Sequence, residues 1–237
     1  MSKRGSKTAG EVLKEQAGNL ESRRRMAARE KERLARVAEN QKAAAPVVAD
    51  LVNAGFPVES VWDLVNKRLK YRDAIPILLE WLPSLSNQDV KEQIVRALSV
   101  KWAKADAAPL LVREFRRLED PGGSSLGWAI GNALEVVADD AVFDDLVKIV
   151  QDPSHGRARQ MVAVALGNMK DPRAVDVLLG LLGDEEVTGH AIMALGKLGA
   201  PEARPTIEGY LSHPKSWVRK EAKKALTKID RARNRPR

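Results

Sequence analysis

"MALGKLGAPEARPTI", residues 193–207, sets Gly196, Gly199, Pro201 and Pro205 into a run that otherwise reads as helix. Glycines this close together either form a backbone loop that holds a ligand or mark the limit of a structural unit. Other copies of the pattern decide between the two. The dipeptide Ala-Leu closes apolar helical patterns at Ala97-Leu98, Ala133-Leu134, Ala165-Leu166, Ala194-Leu195 and Ala225-Leu226, with spacings of 36, 32, 29 and 31 residues. Four positions before each Leu stands Ile94, Ile130, Val162, Ala191 or Ala222, and eight before stands Val90, Leu126, Ala158, Val187 or Val218. That spacing is one helix face, written five times.

A first helix is expected ahead of each of these, opening at Ala74, Ala107, Ala141, Ala174 and Ala203. Two positions on come Pro76, Pro109, Phe143, Asp176 and Pro205, and eight positions on come Leu82, Phe115, Ile149, Leu182 and Leu211. Proline is expected in the first turn, where its missing N–H costs no hydrogen bond and its fixed φ suits the helix. Breakers such as "QDPSHG" (151–156), "KDPR" (170–173), "LGAPE" (198–202) and "SHPK" (212–215) separate the helices. In this register Gly196 matches Gly167 and Gly199 ends a second helix, so the glycines mark a repeat boundary and not a ligand loop.

The repeats resemble HEAT repeats, in particular the short bacterial variety related to phycobilin-lyase-type repeats. Residues 157–226, beginning "RARQMVAVALGNMKDPRAVDVLLGLL", carry the resemblance, which extends more weakly back to about residue 72. Lys91, Arg159 and Arg219 keep the basic residue that often follows the apolar one at the start of the second helix, and Gly127 and Thr188 depart from it. The fold class expected is all-α: an α-solenoid of HEAT-like helical hairpins with a basic N-terminal helical extension. The resemblance implies a protein-binding or scaffold module, since stacked hairpins offer a long surface without needing a pocket.

The expected division is 1–45 as a basic, charged and partly disordered helical extension, 46–231 as the solenoid and 232–237 as a disordered basic tail. Within the solenoid, 46–71 read as an atypical capping unit of two short helices around Gly55-Phe56-Pro57, and five repeats follow from about 72. Residues 1–10 read as disordered, and 11–45 as a solvated helix with a sparse apolar stripe at Leu13, Leu20, Leu34 and Val37. Charge follows the same division: residues 1–42 carry a net +6, 43–214 a net −6 and 215–237 a net +8. Where charge clusters matters more for a polyanionic partner than the total of +8.

Chemistry is narrowed by inventory. With no cysteine, disulfides, thiolate metal sites and cysteine nucleophiles are excluded together, and a reducing, cytoplasmic setting is suited. His155, His190 and His213 form no H-x-x-x-H or His-Glu pair, so no metal or catalytic site is read, and the di-iron hydroxylases of the HEAT class are set aside. Phosphate loops, nucleophile elbows and dinucleotide fingerprints are missing, so no cofactor is expected. No apolar run is long enough to span a membrane. "DPGGSS", with Ser124 and Ser125 after Gly122-Gly123, reads as a turn and helix N-cap.

Trp102 and Asp106, four apart, resemble the tryptophan and aspartate of HEAT-like DNA glycosylases. The competing reading has Asp106 in register with Asp73, Asp140, Arg173 and Glu202, where an acidic residue suits a helix start, and Trp102 packing at the end of the preceding helix. The binding candidates are therefore Lys91, Arg159 and Arg219 on the second helices, with Arg23, Arg24 and Arg25 on the extension. Lys91, Arg159 and Arg219 have a competing reading as an intramolecular ladder of charges between repeats. A protein is the partner expected, with nucleic acid on the basic termini as the alternative.

Overall fold

The computed structural model describes residues 9–118 and 125–234, with side chains from residue 20 onward. Residues 1–8, 119–124 and 235–237, and with them the turn expected at Gly122-Gly123-Ser124, lie outside the described residues. Among the described residues twelve α-helices follow one another: α1 (Ala9–Asn53), α2 (Trp62–Asn66), α3 (Ile75–Trp81), α4 (Gln88–Leu98), α5 (Lys104–Arg116), α6 (Ser125–Val137), α7 (Phe143–Gln151), α8 (Arg159–Leu166), α9 (Arg173–Gly180), α10 (Thr188–Leu198), α11 (Arg204–Gly209) and α12 (Ser216–Arg233). Among the described residues there is no strand, and the architecture is an all-α solenoid.

Two compact units divide the chain, Met1–Ala45 and Pro46–Arg237. In the first, the side chains from Leu20 to Glu39 on α1 are all exposed. Alanine, glutamate and arginine favour helix through the backbone alone, so this stretch needs no buried face to be helical. Helix α1 already includes Ala9 and Gly10, within the stretch expected to be disordered.

The second unit is the repeat stack. Helices α4, α6, α8, α10 and α12 pack neighbour on neighbour, and α3, α5, α7, α9 and α11 each pack against the second helix that follows. Every apolar residue four or eight positions before the repeated Leu is buried, and of the five leucines only Leu226, on the last helix, is half-buried. A face shared by five helices thus becomes one continuous core.

Three expectations need correction. The first short helix of the capping unit is the end of α1, which contains Pro46 and stops where Gly55 takes φ +90°. There the Phe56 N–H reaches the Leu51 carbonyl at 3.0 Å and the Gly55 N–H the Val52 carbonyl at 2.9 Å, the paired bonds of a glycine-terminated helix. Helix α5 starts a turn early: Ala103, not Ala107, matches Ala74 and Ala203, each fully buried at the end of a leading 3-10 turn. Pro109 therefore lies inside α5, whereas Pro76 and Pro205 do occupy the first turn. Finally, α12 runs to Arg233, into the segment expected to be disordered.

The opening glycines also change meaning. Gly199 ends α10 in the left-handed conformation, φ +65°, as the boundary reading requires. Gly196, however, is inside α10, where a Cβ would come within 2.7 Å of Ala225 Cα on α12. At the preceding seam, a Cβ on Gly167 would lie 2.7 Å from Ala194 Cα on α10. Gly196 and Gly167 let successive second helices touch backbone to backbone.

Candidate binding surface

The basic residue at the start of a second helix turns back into the molecule. Lys91 Nζ lies 2.5 Å from Glu114 Oε2 on α5 of the next hairpin, and Glu114 is 3% exposed. A second contact on Glu114 comes from Arg117 Nη1 at 3.0 Å. Arg159 is deeper: Nε donates to the Gly156 carbonyl at 3.1 Å, and Nη1 donates to the Val150 carbonyl at 3.0 Å and lies 2.8 Å from Asp184 Oδ2. Arg219 Nη1 donates to the carbonyls of His213 and Pro214 at 2.7 and 2.8 Å. Where Thr188 replaces the cation, its hydroxyl is placed 2.6 Å from the Asp184 carbonyl.

Arg159, Arg219 and Thr188 satisfy carbonyls ahead of the second helix, and Lys91 and Arg159 tie one hairpin to the next. Lys91 is 16% exposed and Arg159 3%. The three cations also sit on α4, α8 and α12, with α6 and α10 between them, so the fold does not gather them into one patch. Arg23, Arg24 and Arg25 are exposed on α1, and Arg25 Nη2 is 2.6 Å from Glu21 Oε1.

Trp102 is placed differently from both sequence readings of the pair, whereas Asp106 does stand at a helix start. Trp102 belongs to the turn Lys101–Ala103 and not to the preceding helix; it is 46% exposed and edge-on to Tyr71, with ring centroids 5.9 Å apart. Asp106 is exposed in the first turn of α5, out of register with Asp73 and Asp140. Asp140 instead bridges repeats, its Oδ1 accepting the N–H groups of Lys170 and Asp171 at 2.8 and 3.1 Å. Ser125 opens α6 and donates its hydroxyl to Glu92 Oε2 at 2.6 Å. No cluster of three or more metal-ligating side chains occurs among the described residues. His155 lies edge-on to Phe115, and burial pushes the His190 imidazole below the ordinary histidine pKa.

A different face emerges on α6. Trp128, Asn132 and Glu135 follow at i, i+4 and i+7 and so share one side of the helix. Trp128 is 45% exposed, and its carbonyl accepts from Asn132 Nδ2 at 2.7 Å. At the far end, Asn168 Nδ2 donates to the Glu135 carbonyl at 2.7 Å, while Lys197 pairs with the Glu135 carboxylate and reaches Asn168 Oδ1 at 3.3 Å. Beside this cluster is a cavity of about 400 Å³ lined by Lys101, Lys104, Glu135, Val136, Ala138 and Asn168. Neither Lys101 nor Lys104 has an ion-pair partner among the described residues.

A second cavity, about 650 Å³, lies between the ends of α5 and α7 and is lined by Arg116, Lys148, Asp152 and His155 among others. Hydrogen bonds from Ser154 hold the Asp152 carboxyl below the usual carboxylate range. Neither cavity is lined by Trp102 or Asp106. Sequence reasoning missed the α6 face, although its signal was present: Trp128 stands two positions after the buried Leu126, where the helical period turns outward.

Comparison with known proteins agrees with the repeat architecture. A family model for HEAT repeats matches residues 118–188 and again 183–236, together half of the chain. No curated protein matches it. Among solved structures, a designed armadillo repeat protein is similar at 17% identity over 81% of this chain and 92% of that chain, with a TM-score of 0.46.

Proposed function

Since the chain belongs to the HEAT-repeat family, we propose that it is a non-enzymatic protein-binding scaffold whose partner lies on the second helices, over the outward face of α6. The observation that carries this reading is Trp128, a large aromatic side chain left 45% exposed beside polar groups already ordered by hydrogen bonds. Aromatic anchors of this kind contribute most of the energy in protein interfaces, and polar groups around them set register. Lys101 and Lys104, at the cavity beyond Glu135, suit an acidic side chain or a carboxylate of the partner.

No helix among the described residues is long and apolar enough to cross a membrane. Taken with the lack of cysteine, this supports a cytoplasmic setting as part of the proposal. A photoreactive amino acid at position 128 tests the reading. In cells it should give a discrete protein adduct, and the same group at exposed Asp176 on α9 should not. Equal labelling at the two positions, or none at 128, would reject it.

A further inference from the structure

Helix α12 ends the described stack, and the charge on its free face is not what helix stability asks for. Val218, Ala222, Ala225 and Ile229 form its buried stripe. On the opposite side the helical period gathers Lys220, Lys223, Lys224, Thr227 and Arg231, with Trp217 and Lys228 along one margin, and all seven are exposed. Both carboxylates of the helix stand off this face and are engaged: Glu221 with Lys224 at 2.7 Å, and Asp230 with Arg204 at 3.0 Å. Lys220, Lys223, Lys228 and Arg231 have no ion-pair partner among the described residues.

Like charges three or four apart repel, as at Lys220–Lys223, Lys220–Lys224, Lys224–Lys228 and Lys228–Arg231. Near the helix N-terminus, where α12 has no acidic residue in its first turn, Lys220 also opposes the positive end of the macrodipole. A face serving solubility alone would mix signs and avoid both costs. We infer that the outer face of α12 binds the phosphate backbone of a nucleic acid, which would replace this repulsion by charge pairing and counterion release. Trp217, 41% exposed and lying against Gly189, supplies a fixed aromatic platform at the start of the charged line. The face contains no exposed leucine, isoleucine or phenylalanine, which disfavours insertion into a lipid surface.

The test uses the full chain and fluorescently labelled single-stranded RNA and duplex DNA of about 25 nucleotides, with binding followed across salt concentration. Replacing Lys220, Lys223, Lys228 and Arg231 together by Gln should raise the Kd at least about tenfold and lower the slope of log K against log salt by about 3, since each lost phosphate contact removes just under one from the slope. Circular dichroism checks that this variant keeps its fold. A matched variant away from α12, with exposed Lys70, Arg72, Arg113 and Lys148 replaced together by Gln, should stay within about twofold of the parent, because the assignment places the phosphate contacts on α12, and a variant on α1, Arg23→Gln with Arg24→Gln, should lose less than the α12 variant. The inference is overturned if the α12 variant keeps the parental affinity and slope, if the parent binds neither nucleic acid, or if polyglutamate or phosphatidylserine vesicles bind at least as tightly. It is also overturned if the α1 variant loses as much as the α12 variant. None of these outcomes depends on whether a protein partner occupies the α6 face.

Discussion

Two helices of this protein are helical for opposite reasons. Residues 20–39 of α1 expose every side chain, yet their Ala, Glu and Arg content favours helix locally, with Glu21–Arg25 and Glu30–Arg33 pairs on the surface. Helix α10, "TGHAIMALGKL", carries Gly189 in its first turn and Gly196 in its interior, where glycine is unfavourable by about 1 kcal/mol relative to Ala. It is helical because Ala191, Ile192, Ala194 and Leu195 are buried between α8 and α12. Local propensity thus sustains one helix and tertiary contact the other, so the same change should have different consequences in each.

The largest effect is expected at the seam. Gly196→Val places a branched side chain where even a Cβ would meet Ala225 Cα at 2.7 Å, and should destabilise the repeat stack by about 3 kcal/mol in urea unfolding. A loss below about 0.5 kcal/mol would show that the seam opens freely, and the contrast with α1 would collapse.

Next comes the tie between hairpins. Lys91→Met leaves Glu114 buried with only Arg117 beside it, and a loss of about 2 kcal/mol is expected. Adding Glu114→Leu should recover most of that, because an apolar pair replaces an ion pair that has been taken out of water. A double variant as unstable as the single one would mean the pair orders the fold in some further way.

A smaller effect is expected with pH. Because burial holds the folded His190 pKa below its unfolded value of about 6.5, the unfolded chain binds more protons near that pH. Stability should therefore be complete above about pH 6.5 and fall as the pH is lowered through it. Glu221 opposes the shift without cancelling it. His190→Gln should flatten this dependence in thermal unfolding; an unchanged slope would move its origin elsewhere.

The smallest effect belongs to α1. Ala28→Gly with Ala35→Gly should lower the far-ultraviolet helix signal while leaving the urea midpoint of the repeat stack in place and its unfolding free energy within about 0.5 kcal/mol of the parent. A parallel fall in the midpoint would make the two helices energetically one.

The repeat faces were readable because a helix that packs on both neighbours must place small and aliphatic residues at fixed intervals, from Val90 through Val218. The start of α5 was not, because alanine and aspartate recur often enough to align one turn out, putting Pro109 in the wrong turn. Lys91 and Arg159 were visible as a row, but their partners Glu114 and Asp184 belong to the following hairpin at irregular spacing. Gly196 resembled punctuation because sequence records what a glycine lacks and not what approaches it. The α6 face was hidden for a related reason: Glu135, Asn168 and Lys197 come from three hairpins and meet only after stacking.

The glycine seams also give the array a polarity. At the last two seams the earlier repeat supplies the missing side chain and the later one the alanine that closes on it, Gly167 to Ala194 and Gly196 to Ala225. The residue after Leu226, matching Gly167 and Gly196 in register, is Thr227. A further hairpin grafted onto α12 would meet a branched side chain where these repeats dock backbone to backbone. Lengthening the solenoid by engineering would thus begin with Thr227→Gly, before any change to the graft itself.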